Sequence, residues 1–137
     1  MGDVMGHMVT FRREFRDKIL SGRKTTTMRW NVDHWMKKWN GPVRVLSLWI
    51  GSPRSGAKYF SATHIGDAEW ISCKRVRGWD ITHEMAWEDG FGGASDLLRA
   101  LCQINHKTMH EVLEHEWVVL KWGTIIKPQG TLIEADM

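Results

Sequence analysis

Apolar residues near the start of the chain recur with the spacing of a helix. Phe11, Phe15 and Ile19 lie four positions apart, so on a helix they form one apolar stripe. The residues between them are mostly charged. The pattern predicts an amphipathic helix over residues 12–21, and Gly22 is well suited to end it.

Strands are predicted where apolar or β-branched residues alternate or cluster between turn signals. Their predicted ranges are 8–11, 24–29, 43–50, 59–65, 68–76 and 117–122. Gly66 and Asp67 are typical of a tight turn between two of these strands. The segment 51–56, with the sequence GSPRSG, is predicted to be a loop.

Helices are predicted in a second group of segments, which dominates the later half of the chain. A short helix is expected within residues 30–41, with Asp33 as a possible cap. Further helices are expected at 82–88, 94–102 and after Thr108, where Glu111 follows three residues later as in a capping box.

About six strands with three or four short helices predict an α+β protein. The natural architecture is a small curled sheet or β-barrel with helices packed on it. The length of 137 residues fits one domain, predicted at 8–123, and the sequence of residues 124–137 predicts no particular structure for this C-terminal tail. With 42% hydrophobic residues the chain can bury a core, which argues against intrinsic disorder.

The charge of the chain is unevenly distributed, although the net charge is only +3. Residues 11–44 hold ten lysines and arginines against three acidic residues, whereas residues 80–122 hold three against eight. A basic first third favours an anionic partner, and nucleic acid is the commonest one. A solvated basic helix face balanced by acidic helices elsewhere explains the same pattern equally well.

Nine tryptophans are present, and three of them lie close together with two lysines. Trp30, Trp35 and Trp39 flank Lys37 and Lys38. This interleaving suits a flap that stacks on bases and contacts phosphates. It suits equally well a hydrophobic lid that completes the core.

Several classes of protein and site are disfavoured. No apolar run is long enough for a membrane span, and no signal-peptide pattern precedes the first strand. Cys73 and Cys102 stand alone, which favours buried thiols in a reducing, cytoplasmic setting. His106 and His110 are one helical turn apart but lack the third ligand that zinc needs. We therefore expect no metal and no cofactor.

The segment Gly22–Arg29, with the sequence GRKTTTMR, is unusually polar for a predicted strand. On a regular strand, Lys24 shares a face with Thr26 and Met28, while Thr27 lies on the opposite face. A bulge, or the turn after Gly22, would bring Lys24 and Thr27 together. The segment predicts either an exposed strand or one wall of a polar cleft.

This segment resembles the mark of the ASCH domain family, which consists of small relatives of the PUA RNA-binding fold. The family's Gly-x-Lys-x-x-x-x-Arg pattern is matched by Gly22, Lys24 and Arg29. Its acidic-Gly-aromatic step before a helix is matched by Asp89-Gly90-Phe91. The resemblance covers residues 9–122 and implies a PUA-like barrel that binds RNA or a modified nucleoside.

Within that family, the bacterial N4-acetylcytidine amidohydrolases are similar to this chain from residue 11 to residue 29. The resemblance implies catalytic roles for Lys24 and Thr27. It places the family's catalytic glutamate at Asp89, with Glu88 as its neighbour. Aspartate is one methylene shorter, and a misplacement of about 1 Å costs on the order of 100-fold in rate.

Two functions from different classes remain open. The first is a binding module for RNA or a modified nucleoside, with Lys24, Thr27 and Asp89 in a polar cleft. The second is a metal-independent amidohydrolase acting on N4-acetylcytidine or a related nucleoside; a ribonuclease is a third possibility that no histidine pair supports. The residues assigned to ligand binding are Arg12, Arg13, Arg16, Arg23, Lys24, Thr25, Arg29, Trp30, Trp35, Lys37, Lys38, Trp39 and Glu88.

Overall fold

The computed structural model describes residues 6–51 and 62–127. These residues form five strands, five α-helices and two short 3-10 helices. The strands are β1 (His7–Phe11), β2 (Thr26–Arg29), β3 (Val45–Ile50), β4 (Thr63–Arg77) and β5 (Glu116–Ile126). The helices are α1 (Arg16–Leu20), α2 (Val32–Trp39), α3 (His83–Glu88), α4 (Ala94–Asn105) and α5 (Met109–Glu114), and the 3-10 helices are Arg13–Phe15 and Gly78–Asp80.

The strands form one mixed sheet in the order β1-β3-β4-β5-β2. β1 and β3 run parallel, and the other three pairs are antiparallel. The first two strands in sequence therefore occupy the two opposite edges of the sheet. The protein is an α+β fold, as the sequence predicts.

The sheet is strongly curled, because side chains meet across it that a flat sheet would hold apart. β1 and β5 are three strand spacings apart, about 14 Å in a flat sheet. The rings of Phe11 and Trp122 nevertheless lie with centroids 5.6 Å apart. The side chain of Arg29, on one edge strand, reaches the backbone oxygen of Thr10 on the other at 2.7 Å. The two edges thus face each other across a seam, as in a partly closed barrel.

Two hydrophobic clusters hold this architecture together. The larger fills the inside of the curled sheet and is covered by α2, whose Trp35 is buried against Trp70. The smaller lies between the sheet and the helices α4 and α5, around Leu97, Leu101 and Trp117. β5 contributes to both clusters, which explains why its sequence is a nearly continuous apolar run.

The predicted turn at Gly66 and Asp67 is wrong, because β4 continues through both residues. Gly66 has φ +154°, and a Cβ there would lie 2.4 Å from a side-chain atom of Ile125. The glycine allows the neighbouring strand to approach closely and accompanies irregular pairing. Two predicted strands are therefore one, and the described residues hold five strands rather than about six.

The helical predictions are confirmed in outline, and their bounds shift. The predicted helix 12–21 is a 3-10 turn followed by α1. Five helices form where three or four were expected. Asn31 caps α2, not Asp33, because its side chain accepts from the backbone of His34. The caps at Thr82 and at Thr108 with Glu111 are confirmed.

The ends of the predicted domain shift slightly. β1 begins at His7, one residue before the predicted start, and β5 reaches Ile126, so three residues of the predicted tail belong to the sheet. Parts of three predictions lie outside the described residues. They are residues 52–56 of the predicted loop, residues 59–61 of the predicted strand 59–65, and residues 128–137 of the tail.

Candidate functional site

A pocket of about 130 Å³ opens at the seam between the two sheet edges. We call it the seam pocket. Its polar wall is formed by Lys24, Thr27, Arg29 and Asp89. One buried water needs roughly 10–15 Å³, so the pocket has room for a small chemical group.

Lys24 enters the pocket because the chain turns sharply after α1. Gly22 has φ +83°, the left-handed conformation that commonly ends a helix. The backbone N–H of Lys24 then donates to Lys18 at 2.9 Å, and that of Thr25 donates to Glu88 at 2.8 Å. These bonds tie the segment to α1 and to the end of α3, so Lys24 precedes β2 and escapes its strict alternation.

Lys24 and Asp89 form a buried ion pair. The Lys24 ammonium donates to Asp89 Oδ1 and also to the Asp89 backbone oxygen at 2.8 Å. Lys24 is 2% exposed and Asp89 is 3% exposed. Removing one partner of such a pair leaves an uncompensated buried charge, which typically costs about 3–5 kcal/mol.

Gly90 allows the Asp89 segment to pack on the lysine. Its φ is +94°, and a Cβ there would lie 3.3 Å from Lys24 Cβ and 3.4 Å from Lys18 Cδ. The Gly90 backbone oxygen accepts from the Lys18 ammonium at 2.7 Å. The Asp-Gly-aromatic step thus turns the chain at the end of α3 and aims a carboxylate at Lys24.

The second oxygen of Asp89, Oδ2, has almost no solvent-accessible surface and no hydrogen-bond partner among the described residues. Burial raises the pKa of Asp89 above its usual value, while Lys24, Arg29 and the Met28 backbone N–H oppose the change. Asp89 thus lines the pocket and has one oxygen, Oδ2, without a hydrogen-bond partner among the described residues.

The cations of the site are also shifted by burial. Burial lowers the pKa of Lys24, and the nearby charges of Arg29 and Lys18 lower it further, while Asp89 opposes the change. Burial lowers the pKa of Arg29 to about 10, so the guanidinium stays charged at neutral pH. Lys24 therefore loses its proton more readily than an ordinary exposed lysine does.

Thr27 and Arg29 complete the polar wall on β2. Thr27 is buried, and its Oγ1 accepts from Arg29 Nε at 3.3 Å. The turn after Gly22 does bring Lys24 and Thr27 to one pocket, as one reading of the sequence anticipates. The structure shows no hydrogen bond between their side chains, because the Lys24 ammonium is held by Asp89.

The rest of the lining is mostly apolar. Leu97, Leu101 and Ile104 line the pocket from α4, together with the polar Asn105. The rings of Phe11, Phe15 and Phe91 lie around the ammonium and guanidinium groups. The Lys24 ammonium is 5.0 Å from the Phe15 ring centroid. A ligand in the pocket would meet polar groups on one side and hydrocarbon on the other.

Three predicted ligand-binding residues beside the pocket have structural partners instead. Arg23 donates to the backbone oxygens of Trp87 and Phe91, and its guanidinium lies 3.3 Å from the centroid of the Trp87 ring. Thr25 is bonded through its backbone to α3 and β5. Glu88 is exposed and pairs with Lys121 at 3.4 Å.

The three arginines of the first predicted helix that are assigned to ligand binding are all solvent-exposed. Arg12 lies at the rim of the seam pocket, whereas Arg13 and Arg16 do not line it. Arg16 is 3.5 Å from Asp17. Only Arg12 is thus placed to reach a ligand in this pocket.

The tryptophan segment does not form a wall of the seam pocket. Trp35 is 7% exposed and belongs to the core, and Trp39 packs edge-on against Trp70. Trp30 stacks on His115 with ring centroids 3.5 Å apart. The structure therefore favours the lid over the stacking flap, and Lys37 and Lys38 line a separate cleft.

The cysteines and His106, which the sequence also singles out, do not line the pocket. Burial raises the pKa of the Cys73 thiol to about 11, and Cys102 is half-buried. Within residues 6–51 and 62–127, no group of three potential metal ligands comes together, and His106 ends α4 in a left-handed conformation. No helix in that part of the chain is long and apolar enough to cross a membrane.

Several pocket residues are not identified by the sequence reasoning. The apolar wall of α4, Phe15 and Thr10 all line the pocket, and Lys18 binds its Asp-Gly turn. The stripe of leucines on α4 is a visible signal, but it is equally typical of a core helix. Only the closure of the sheet shows which part of that stripe faces the seam.

Comparison of the chain with protein-family models, with curated proteins and with solved structures found no match.

Proposed function

We propose that the seam pocket binds the base of a modified nucleoside, either free or within RNA. The observation that carries this proposal is that Asp89, which lines a pocket with both polar and apolar residues, has no hydrogen-bond partner for Oδ2 among the described residues. A buried acceptor without a partner costs about 1–3 kcal/mol, which a ligand N–H group would recover. The resemblance to ASCH domains, with their PUA-like fold, agrees with this ligand class.

The chemistry of the site favours a cytosine-type base. Its exocyclic N4 carries hydrogen and donates well to a carboxylate. Arg29 and Thr27 supply donors for the ring's acceptor atoms, and the α4 wall covers its face. Because Oδ2 is now shielded from water, side chains around the pocket must move slightly as the base enters.

Binding of matched nucleosides tests this directly. N4-acetylcytidine and cytidine retain an N4–H, whereas N4,N4-dimethylcytidine lacks it and uridine offers an oxygen there. We expect N4-acetylcytidine and cytidine to bind about tenfold or more tightly than N4,N4-dimethylcytidine and uridine, because only the first two can donate an N4–H to Oδ2. Equal affinities for all four, measured by calorimetry, would remove Asp89 from base recognition.

Hydrolysis of an N4-acyl group is the second candidate, and one observation favours it. A lysine whose pKa is lowered by burial shares the pocket with a threonine hydroxyl that is bonded to a guanidinium. Perturbed titratable groups in one pocket are typical of acid–base sites. The wall residues Lys24, Thr27 and Asp89 are those that the family resemblance implies.

The reaction would proceed by acyl transfer to Thr27. Its oxygen bonds to the acyl carbon while its proton passes to neutral Lys24, and the charge on the acyl oxygen is stabilised by Arg29. The carbon–N4 bond then breaks as Lys24 returns the proton to N4, and water hydrolyses the acyl-threonine to acetate. Because Lys24 is bonded to Asp89, the first transfer needs a water or a small shift of the amine.

Release of cytidine from N4-acetylcytidine, followed by mass spectrometry, tests the second candidate. Thr27→Val removes the nucleophile but keeps the side-chain shape, and Thr27→Ser restores a hydroxyl. We expect release to be lost in the first variant and retained in the second. Equal release by wild type and Thr27→Val would exclude the acyl-threonine route.

A further inference from the structure

A second recess, which we call the basic cleft, lies between the end of α2 and the chain that leads to β3. It has a volume of about 440 Å³ and is lined by His7, His34, Lys37, Lys38 and the segment 41–43. His34 and Lys37 are exposed, so the cleft is open to solvent. It shares no lining residue with the seam pocket.

Among the described residues, no carboxylate lines this cleft. Within the described part of the chain, none of the ion pairs involves Lys37, Lys38 or the adjacent Arg44. Asp33 lies one helical turn before Lys37 but makes no ion pair with it there. Two lysines thus line the cleft, and Arg44 follows its last lining residue, with no ion-pair partner for any of the three among the described residues.

Arg44 beside the cleft and His7 on its wall both pack against tryptophan rings. Arg44 donates to the Gly41 backbone oxygen at 2.6 Å, and its guanidinium lies 4.1 Å from the Trp39 ring centroid. His7 packs edge-on against Trp70 with centroids 5.7 Å apart. The lysines alone would be explained by the dipole of α2, whose last turn favours cations. That effect does not account for the two histidines and the fixed arginine.

Two observations favour binding of an anion in this cleft. His7 Nε2 is buried and has no hydrogen-bond partner among the described residues. Burial lowers the pKa of His7 most, and the charges of Lys38, Arg44 and His34 lower it further. The pKa of His34 is likewise lowered, by burial and by Lys38. Such a field attracts an anion, and a phosphoryl group supplies both charge and hydrogen-bond acceptors.

We propose that the basic cleft is a phosphate-binding site that holds a backbone phosphodiester of a single-stranded polynucleotide. An open cleft with lysines at its rim suits a chain that passes over the surface, whereas a small free ligand usually occupies a more enclosed site. The charge excess of the first third of the chain extends over α1 as well, as expected for contact with several phosphates. His7 is three residues from Thr10 of the seam pocket, about 10 Å along β1.

The site can be tested independently of the seam pocket, because unmodified RNA is a sufficient probe. We would follow the ring resonances of His7 and His34 by NMR while adding a short uridine oligonucleotide, with inorganic phosphate at equal ionic strength as a second probe. We expect the oligonucleotide to shift both resonances and to raise both histidine pKa values. A shift with inorganic phosphate alone would overturn the polynucleotide assignment, and no shift with either would overturn the site.

Matched variants separate this cleft from general electrostatics. Lys37→Gln with Lys38→Gln removes two charges from the cleft, and Lys74→Gln with Arg77→Gln removes two exposed charges on β4. We expect the first variant to weaken binding roughly tenfold at low salt and to reduce the salt slope by about 1.4, since each phosphate contact contributes about 0.7 for single strands. Equal losses in both variants would overturn the proposal. Loss of nucleoside binding in the seam pocket would leave this result unaffected.

Discussion

The seam pocket and the basic cleft both gather lysines, arginines and aromatic rings, but they treat charge in opposite ways. In the seam pocket the cations surround one buried carboxylate, and both partners of the ion pair are nearly inaccessible to solvent. In the basic cleft the lysines lie in an open recess, and no carboxylate among the described residues lines it. We propose that the first arrangement suits a small ligand and proton transfer, whereas the second suits an anion.

The seam pocket and the basic cleft also differ in how much their charged residues stabilise the fold. The ion pair of the seam pocket fastens the turn after α1 to the end of α3, so its loss would disturb both elements. The lysines of the basic cleft can be changed with little effect on the fold. We therefore expect changes in the seam pocket to lower the free energy of unfolding more than changes in the basic cleft.

The largest expected effect comes from breaking the buried ion pair. Asp89→Asn or Lys24→Met should each lower the free energy of unfolding by about 3–5 kcal/mol, because each leaves one buried charge unpaired. The double replacement Lys24→Met with Asp89→Asn should be clearly less destabilised than the sum of the single changes. Urea unfolding of the three variants measures this, and additive losses would show that the pair is not coupled.

Opening the seam should have the next largest effect. Arg29→Gln removes the charged bond to the Thr10 backbone oxygen and the bond to Thr27, at a cost of about 1.5–3 kcal/mol. Hydrogen exchange should rise at β1 and β2, the two edges that this side chain bridges. The matched control is Arg75→Gln, an exposed residue paired with Glu116 on neighbouring strands, where we expect little change.

Gly90 is expected to give a smaller effect on stability and a clear effect on the site. Gly90→Ala places a side chain at φ +94° and within 3.3 Å of Lys24 Cβ, so it should cost about 1–2 kcal/mol. Nucleoside binding should weaken as well, because Asp89 moves with the turn. Gly92→Ala, where a Cβ would meet only the end of the Asp96 side chain, is the control.

The smallest expected effect concerns pH and the histidines of the basic cleft. Their folded pKa values lie below 6.5, so between those values and 6.5 the unfolded chain binds more protons than the folded chain. Stability from these groups is therefore present above pH 6.5 and is lost as the pH falls through the folded pKa values. In Lys38→Gln both pKa values should rise toward 6.5, as measured by NMR; unchanged values would show that Lys38 does not act on them.

How much the sequence predicts differs between these two regions. Most of the polar wall comes from the two segments that carry the family resemblance, residues 22–29 and the Asp-Gly-Phe step at 89–91. In the structure, each segment contains a glycine with a positive φ that turns the chain toward the pocket. The sequence does not predict that Lys24 would bond Asp89 rather than Thr27, since that depends on how α3 packs against the turn. The curl of the sheet, which creates the seam, depends on contacts between distant strands.

The basic cleft shows a different limit of sequence reasoning. Lys37 and Lys38 are evident in the sequence, and the tryptophans around them suit a flap and a lid equally well. In the structure, Trp35 is buried in the core and Trp39 packs against it. His7 and Arg44 come from other parts of the chain and join the lysines only when β1 and β3 pair beside α2. Such a cleft has no local pattern that a sequence could display.

Affinity of the wild-type protein for N4-acetylcytidine and for N4,N4-dimethylcytidine, measured side by side by calorimetry, tests the central claim most directly. If Asp89 Oδ2 accepts a hydrogen bond from the ligand's N4–H, N4-acetylcytidine binds about tenfold or more tightly than N4,N4-dimethylcytidine. The difference disappears in Asp89→Asn, once that variant is shown to be folded. Equal binding of the two nucleosides would remove Asp89 from base recognition, and binding of neither would contradict the proposal that the seam pocket binds a modified base.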